Sequence, residues 1–194
     1  MINMDSPGII VIGASRGGIK AISTLLQSLS RELPVGVAAV LHTGPGSPRL
    51  LDRIVGDRAA LPVSYATQGE HLQVGHVYLA PPDHHLVVAE RGVLGLADGP
   101  KVRHSRPAAD RLFESAAGIY GERVIGVVLT GGDGDGTAGL NAIHAKGGIA
   151  VVQDPRDAED RAMPESAISG DSPDYCVRID EMGKLLNTLS RRYL

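Results

Sequence analysis

Three apolar, β-branched runs in this chain each give way to a glycine-rich turn that carries a reactive side chain. They are VIGASRGG with Ser15, VAAVLHTGPG with His42 and VIGVVLTGGDGDG with Asp135. Runs without an alternating polar face fit strands buried on both sides, as in a parallel sheet covered by helices. In an open parallel α/β sheet such turns lie along the carboxyl edge, where ligands bind, so residues far apart in sequence meet there. A nucleophile, a base that takes its proton and a carboxylate that orients the base are the minimum set for acyl transfer through a covalent intermediate. The first expectation is a serine hydrolase.

The rest of the chain keeps the alternation of strand and helix, with one interruption. Gly8 to Ile12 is a short strand, and Ile19, Ile22, Leu25, Leu26 and Leu29 follow at helical spacing. Val35 to Leu41 is a second buried strand. After the Gly44, Pro45, Gly46 turn, Leu50, Leu51, Ile54 and Val55 predict a helix beginning near Ser47. The middle departs from this rhythm: Val63 to Ala66, His76 to Ala80, Leu86 to Ala89 and Val93 to Leu96 are short strands. Glu90, Arg91 and Gly92 between the last two predict a β-hairpin. A helix from Pro107 to about Tyr120 precedes the continuous strand Val124 to Leu129. A helix from about Thr137 to Ala145, strands at Ile149 to Val152 and Tyr175 to Val177, and a helix from about Asp180 complete the pattern. The expected class is α/β: a doubly wound, mostly parallel sheet with helices on both faces and an added antiparallel hairpin.

Composition narrows the surroundings. At 194 residues and 43% hydrophobic content the chain can bury a full core, and one domain over 1–194 is expected. A net charge of −3 without a dense Lys/Arg block argues against a nucleic-acid partner. Cys176 is the single cysteine, so no intrachain disulfide forms. The amino terminus MINMDSPG lacks the features of a leader, and no apolar run reaches membrane-spanning length, so a cytoplasmic protein without membrane insertion is expected.

Gly13-Ala14-Ser15-Arg16-Gly17 fits G-x-S-x-G, in which a strand turns sharply into a helix and leaves the serine hydroxyl clear of the sheet edge. A plainer reading has the small residues permit the turn while Ser15 caps the helix. A third reading compares GASRGG with the cofactor-binding turn of short-chain dehydrogenases. Against it, Ile19 stands where the closing glycine would fall, and none of Tyr65, Tyr78, Tyr120 or Tyr175 has a lysine four residues later. The other histidines add no partner set: His71, His76, His104 and His144 sit in apparent turns or on helices. His84 and His85 point to opposite faces of a strand. Asp133 and Asp135 lack the longer loop and terminal glutamate of a calcium site, and no metal is expected. Spacing leaves either aspartate within reach of His42.

Over nearly its whole length the chain resembles the catalytic domain of CheB-type chemotaxis protein-glutamate methylesterases. The resemblance runs through VIGASRGGIKAI, the histidine after the second strand, VYLAPPDHHL, SRPAADRLFESAA, VIGVVLTGGDGDGTAGL, GGIAVVQDP and AMPESAI. It implies an esterase acting on glutamyl γ-methyl esters of chemoreceptor signalling helices, often also a glutamine deamidase, with Ser15 as nucleophile, His42 as base and Asp135 as orienting carboxylate. The chain order Ser, His, Asp differs from that of common α/β-hydrolases, so the shared G-x-S-x-G is a convergent solution. Departures from the usual pattern are Arg16 for a small or hydroxyl residue, Gly132 for methionine, and Thr43-Gly44 for Met-Pro. The first catalytic strand begins within about ten residues of Met1, so the amino-terminal receiver of the best-known members is not expected.

The cleft is expected to be lined by Arg16, Gly131 and Gly132, with backbone N–H groups near Arg16 and in the Gly131-Gly132 turn as candidate oxyanion donors. Arg16 is placed to meet an acidic neighbour of the substrate ester. An Asp135→Asn change is expected to upset the histidine tautomer and spare the fold. No cofactor is expected, and the partner is a methylated chemoreceptor or related helical signalling protein. Sequence leaves the oligomeric state open. A non-catalytic partner-binding module with the same fold is the alternative from another class.

Overall fold

The computed structural model describes residues 7–44, 46–170 and 172–194. The first six residues, and Pro45 of the expected Gly44-Pro45-Gly46 turn, lie outside them. The elements follow in the order β1 (Ile9–Ala14), α1 (Gly18–Ser28), β2 (Gly36–Leu41), α2 (Leu51–Gly56), β3 (Val63–Tyr65), β4 (Val77–Leu79), β5 (His85–Glu90) and β6 (Val93–Ala97). They continue with α3 (Ala109–Tyr120), β7 (Val124–Val128), α4 (Thr137–Ala145), β8 (Ile149–Gln153), α5 (Ala162–Gly170), β9 (Tyr175–Val177) and α6 (Ile179–Ser190).

Seven strands form one parallel sheet in the order β3-β4-β2-β1-β7-β8-β9, while β5 and β6 pair antiparallel in a separate hairpin. Residues of β1, β2, β7 and β8 are buried along their whole length, as the unbroken apolar runs require. The strand period of two splits them between the sheet's faces. Ile10, Ile12, Val37 and Val127 pack with Leu25 of α1, Val55 of α2 and Leu186 of α6. Ile9, Val11, Val40 and Val128 pack on the other face with Phe113 of α3, Ile143 of α4, Met163 of α5 and Leu94 of the hairpin. The expected doubly wound sheet with an added hairpin is the observed architecture.

Two elements differ from the sequence pattern. Helix α2 starts at Leu51 rather than near Ser47, because Ser47 N–H closes a turn on Gly44 O (3.0 Å) and Leu50 N–H one on Pro48 O (2.9 Å). Only from Leu51 do residues four apart, Leu51 and Val55, meet the core. Helix α5 was not anticipated as a helix. It buries Met163, Pro164 and Ala167 on the side of the sheet formed by β7 and β8, with Pro164 in the first turn where a missing N–H costs nothing.

Candidate active site

The strand order reverses at β1, which has β2 on one side and β7 on the other; this is the switch point where open α/β sheets bind ligands. Register carries the turns into contact. Ala14 pairs with Leu41 and Gly13 with Val128, and past the strand ends His42 N–H donates to Ala14 O (3.1 Å) while Ser15 N–H donates to Thr130 O (2.9 Å). Ser15 therefore stands between His42 and Thr130. Helix α1 is capped by Gly17 in the left-handed region (φ 77°), with no side-chain cap, so the Ser15 hydroxyl is not spent on capping. A Cβ at Gly17 would also lie 2.7 Å from Glu159 Cβ, which makes glycine the residue that fits this turn.

His42 and Asp135 are joined directly. His42 Nε2 lies 2.6 Å from Asp135 Oδ2, with Asp135 completely buried. The same carboxylate accepts Ala109 N–H at Oδ2 (2.5 Å) and the N–H groups of Asp110 and Gly136 at Oδ1 (both 3.0 Å). Burial pushes the Asp135 carboxyl up, but the His42 hydrogen bond and the α3 N–H groups outweigh it and hold the group below the usual carboxylate range. Burial pulls His42 down, yet its bond to Asp135 and the charges of Asp135, Asp133 and Asp110 leave it above its ordinary 6.5. Burial pushes Asp110 up to about 6, despite the bond it accepts from Gly139 N–H.

With Nε2 on Asp135, Nδ1 is the nitrogen left for proton transfer. Its neighbours are Ser105 Oγ at 3.4 Å and Asp133 Oδ2 at 3.5 Å. Ser15 Oγ makes no hydrogen bond among the described residues, and it shares with His42 a cleft of about 400 Å³ that Ile19, Lys20, Leu41 and Glu159 also line. Unliganded sites often hold such pairs apart until substrate is bound. Asp133 is the aspartate that spacing leaves beside Asp135 as within reach of His42, whereas Ser105 is not singled out from sequence. Ser105 carries no spacing signal, since its position depends on a turn with Arg103 and His104 in the left-handed region (φ 44° and 68°).

The residues expected around an oxyanion divide in their roles. The N–H groups of Arg16 and Gly17 have no protein acceptor among the described residues and directly follow Ser15, so they are free to donate. Gly131 corrects the expectation: its N–H donates to Asp160 O (3.0 Å) and is already used. What Gly131 provides is clearance, because a Cβ there would lie 2.9 Å from Ser15 Cβ and would also strike Met163. Gly132 faces Asp160, whose Oδ2 would lie 3.0 Å from an added Cβ, and its N–H has no acceptor among the described residues. The Arg16 side chain is 76% exposed and meets an acidic group of its own chain, with Nη1 3.3 Å from Asp160 Oδ2. His84 precedes β5, which begins at His85, and the two rings part there: His84 pairs with Asp98 at the surface (2.6 Å), and His85 is buried between Pro100 O and Ala108 N–H. Among the described residues no group of three or more His, Cys, Asp or Glu is arranged to hold a metal ion.

The fold that carries this site is shared with known proteins. The sequence model of one family, CheB methylesterase, matches residues 10–186. The chain belongs to the CheB methylesterase family. A Leptospira interrogans protein named "Putative protein-glutamate methylesterase/protein-glutamine glutaminase" is 38% identical over 185 residues, covering 95% of this chain and 96% of the relative. An Anaeromyxobacter dehalogenans protein-glutamate methylesterase/protein-glutamine glutaminase is 37% identical over 94% of this chain, which spans 53% of that longer relative. The crystal structure of the Thermotoga maritima CheB methylesterase catalytic domain superposes with a TM-score of 0.89 at 32% identity, covering 94% of this chain and 98% of that one. Family and fold are thus those of carboxylic-ester hydrolases. No helix among the described residues is long and apolar enough to cross a membrane.

Proposed function

We propose that this chain hydrolyses glutamyl γ-methyl esters, and the equivalent glutamine amides, on exposed helices of chemoreceptor-type signalling proteins. The observation that carries the reading is the meeting of three strand ends: Ser15 and His42 face one cleft, and His42 Nε2 lies 2.6 Å from Asp135. Ser15 Oγ attacks the γ-carbonyl carbon as His42 Nδ1 takes its proton, and the carbonyl electron pair moves to oxygen. The unpaired N–H groups of Arg16 and Gly17 beside Ser15 are the donors available to that oxygen, each such donor being worth about 3 kcal/mol in the transition state. His42 returns the proton to the departing methoxide, or to the nitrogen that leaves an amide as ammonia. Water then gives a proton to His42 as its oxygen bonds to the acyl carbon, and His42 passes that proton to Ser15 Oγ as the C–O bond breaks and the glutamate carboxylate leaves. Asp135 keeps the Nε2 proton in place, so that Nδ1 stays the base.

The test is covalent labelling together with turnover. A fluorophosphonate should label the wild-type chain once, at Ser15. Ser15→Ala should abolish both labelling and methanol release from a methylated receptor-helix peptide, with its thermal transition retained. Equal hydrolysis by Ser15→Ala ends the triad reading. A wild-type chain that binds the helix but neither reacts nor hydrolyses would instead be a partner-binding module.

A further inference from the structure

We propose that Asp133 is a second carboxylate acting on His42, a positioning residue that holds the ring nitrogen Asp135 leaves free and sets the pH at which it becomes a base. The inference rests on the Ser15, His42, Asp135 reading above and deepens it. Asp135 occupies one edge of the imidazole, with Nε2 at 2.6 Å, and Asp133 occupies the other, with Oδ2 3.5 Å from Nδ1. The histidine lies between two carboxylates supplied by one turn.

The geometry of that turn fixes Asp133 in place. Its Oδ1 accepts Asp135 N–H at 3.0 Å, which leaves Oδ2 to face the ring. Unlike Asp135, the Asp133 side chain is 34% exposed, so water screens part of its attraction for the ring. Other charged and polar groups lie near the imidazole or around its cleft. Asp110 of α3 lies behind Asp135, and Arg103 is 4.0 Å from Asp110 with its guanidinium against Gly134. Ser105 Oγ reaches Nδ1 from the Val102 to Ser105 turn, and Lys20 and Glu159 line the cleft opposite. Of these, only Asp133 places a full charge beside the nitrogen that must accept the Ser15 proton.

Two consequences follow from an anion at that position. When Ser15 Oγ–H gives its proton to Nδ1 and Oγ bonds to the carbonyl carbon, the imidazolium that forms has a counter-charge at each N–H. The same attraction keeps the resting ring protonated, and idle, to a higher pH. Asp133 therefore strengthens the base and delays its availability.

The experiment uses the full chain, with Asp133→Asn as the main variant. Asparagine keeps an oxygen to accept Asp135 N–H and removes the charge. His42 is titrated by nitrogen–proton NMR of its imidazole, and kcat is followed from about pH 5 to 9 by methanol release from N-acetyl glutamyl γ-methyl ester amide. The ring and the acid limb of kcat should both titrate lower by about 0.5 to 1 pH unit in the variant, and the high-pH plateau should fall about 2- to 10-fold. A residue that only shaped the turn would lower the plateau and leave the midpoint where it was. Because NMR follows the ring itself, Asp110, which titrates near the same range, is not mistaken for it. Asp133→Ser, which also keeps an acceptor and loses the charge, should reproduce the change if the asparagine variant folds poorly. An unmoved His42 midpoint in either folded variant overturns the proposal. A wild-type chain inert toward every ester, with a midpoint that still moves, would overturn the esterase reading and support the hold of Asp133 on the ring.

Discussion

Asp135 does two things with one carboxylate. It fixes His42 through Oδ2, and it receives Ala109 N–H and Asp110 N–H from the first turn of α3, whose own N-cap residue, Ala108, offers no side-chain cap. A buried anion at a helix amino terminus satisfies donors that would otherwise be orphaned. Asp135→Asn turns one acceptor into a donor among these N–H groups. It should lower kcat by about 10³- to 10⁴-fold through the wrong histidine tautomer. It should also lower stability by about 2 to 4 kcal/mol, read as a lower denaturation midpoint. A variant of wild-type stability would show that the α3 donors are satisfied some other way. Sequence gives no sign of the bonds from α3 to Asp135, because a cap supplied from a distant loop leaves no local pattern. Nor could spacing tell Asp133 from Asp135. In the folded loop one goes to each ring nitrogen, a division set by the turn between them.

At the scale of elements, the nucleophile turn is held by the end of β7. Thr130 Oγ1 holds its one proton within reach of Arg16 O (2.9 Å) and Asp160 O (3.1 Å) and accepts Asp160 N–H (2.9 Å), while its backbone N–H donates to Gln153 Oε1 (2.9 Å). One almost fully buried hydroxyl thus ties the Ser15 turn to the segment leading into α5. Thr130→Val keeps the shape and leaves these partners unsatisfied, and should destabilise by about 1 to 3 kcal/mol. It should also lower kcat at least about tenfold, since small displacements of aligned groups are costly. Thr130→Ser should restore most of both. If valine and serine behave alike in melts and turnover, the hydroxyl is not the tie. The strand ends of β1, β2 and β7 were legible because a β-branched run stopping at glycine is a local signal. Helix α5 was not, since AMPESAISG spreads its buried residues over small side chains and a proline. The start of α2 was hidden by turn hydrogen bonds that outweigh the apolar spacing of Leu50 and Ile54, both exposed.

For the molecule as a whole, the site sets the pH of greatest stability against the pH of greatest activity. Asp110 is held above its unfolded value, at about 6, so its contribution to stability is complete below about pH 4 and is lost as pH rises through about 6. His42, also raised, acts in the same direction: its contribution is complete below 6.5 and lost as pH rises through its folded value. Asp135, depressed, has the opposite sign and withdraws its contribution as pH falls below the ordinary carboxylate range. Folding stability should therefore peak on the acid side of neutrality, whereas turnover needs a neutral His42 and should rise above 6.5. Asp110→Asn separates the two. Its Oδ1 still accepts Gly139 N–H, as Asp110 does at 2.8 Å, but it carries no charge to strand in the α3 and α4 junction. Relative to wild type, the melting temperature of Asp110→Asn should be higher at pH 8 than at pH 4.5 by an increment on the order of 5 °C. Melting curves taken across that interval decide the matter. Parallel profiles for the two proteins would mean that Asp110 does not bury a proton on folding, and that the fall in stability belongs to His42 alone.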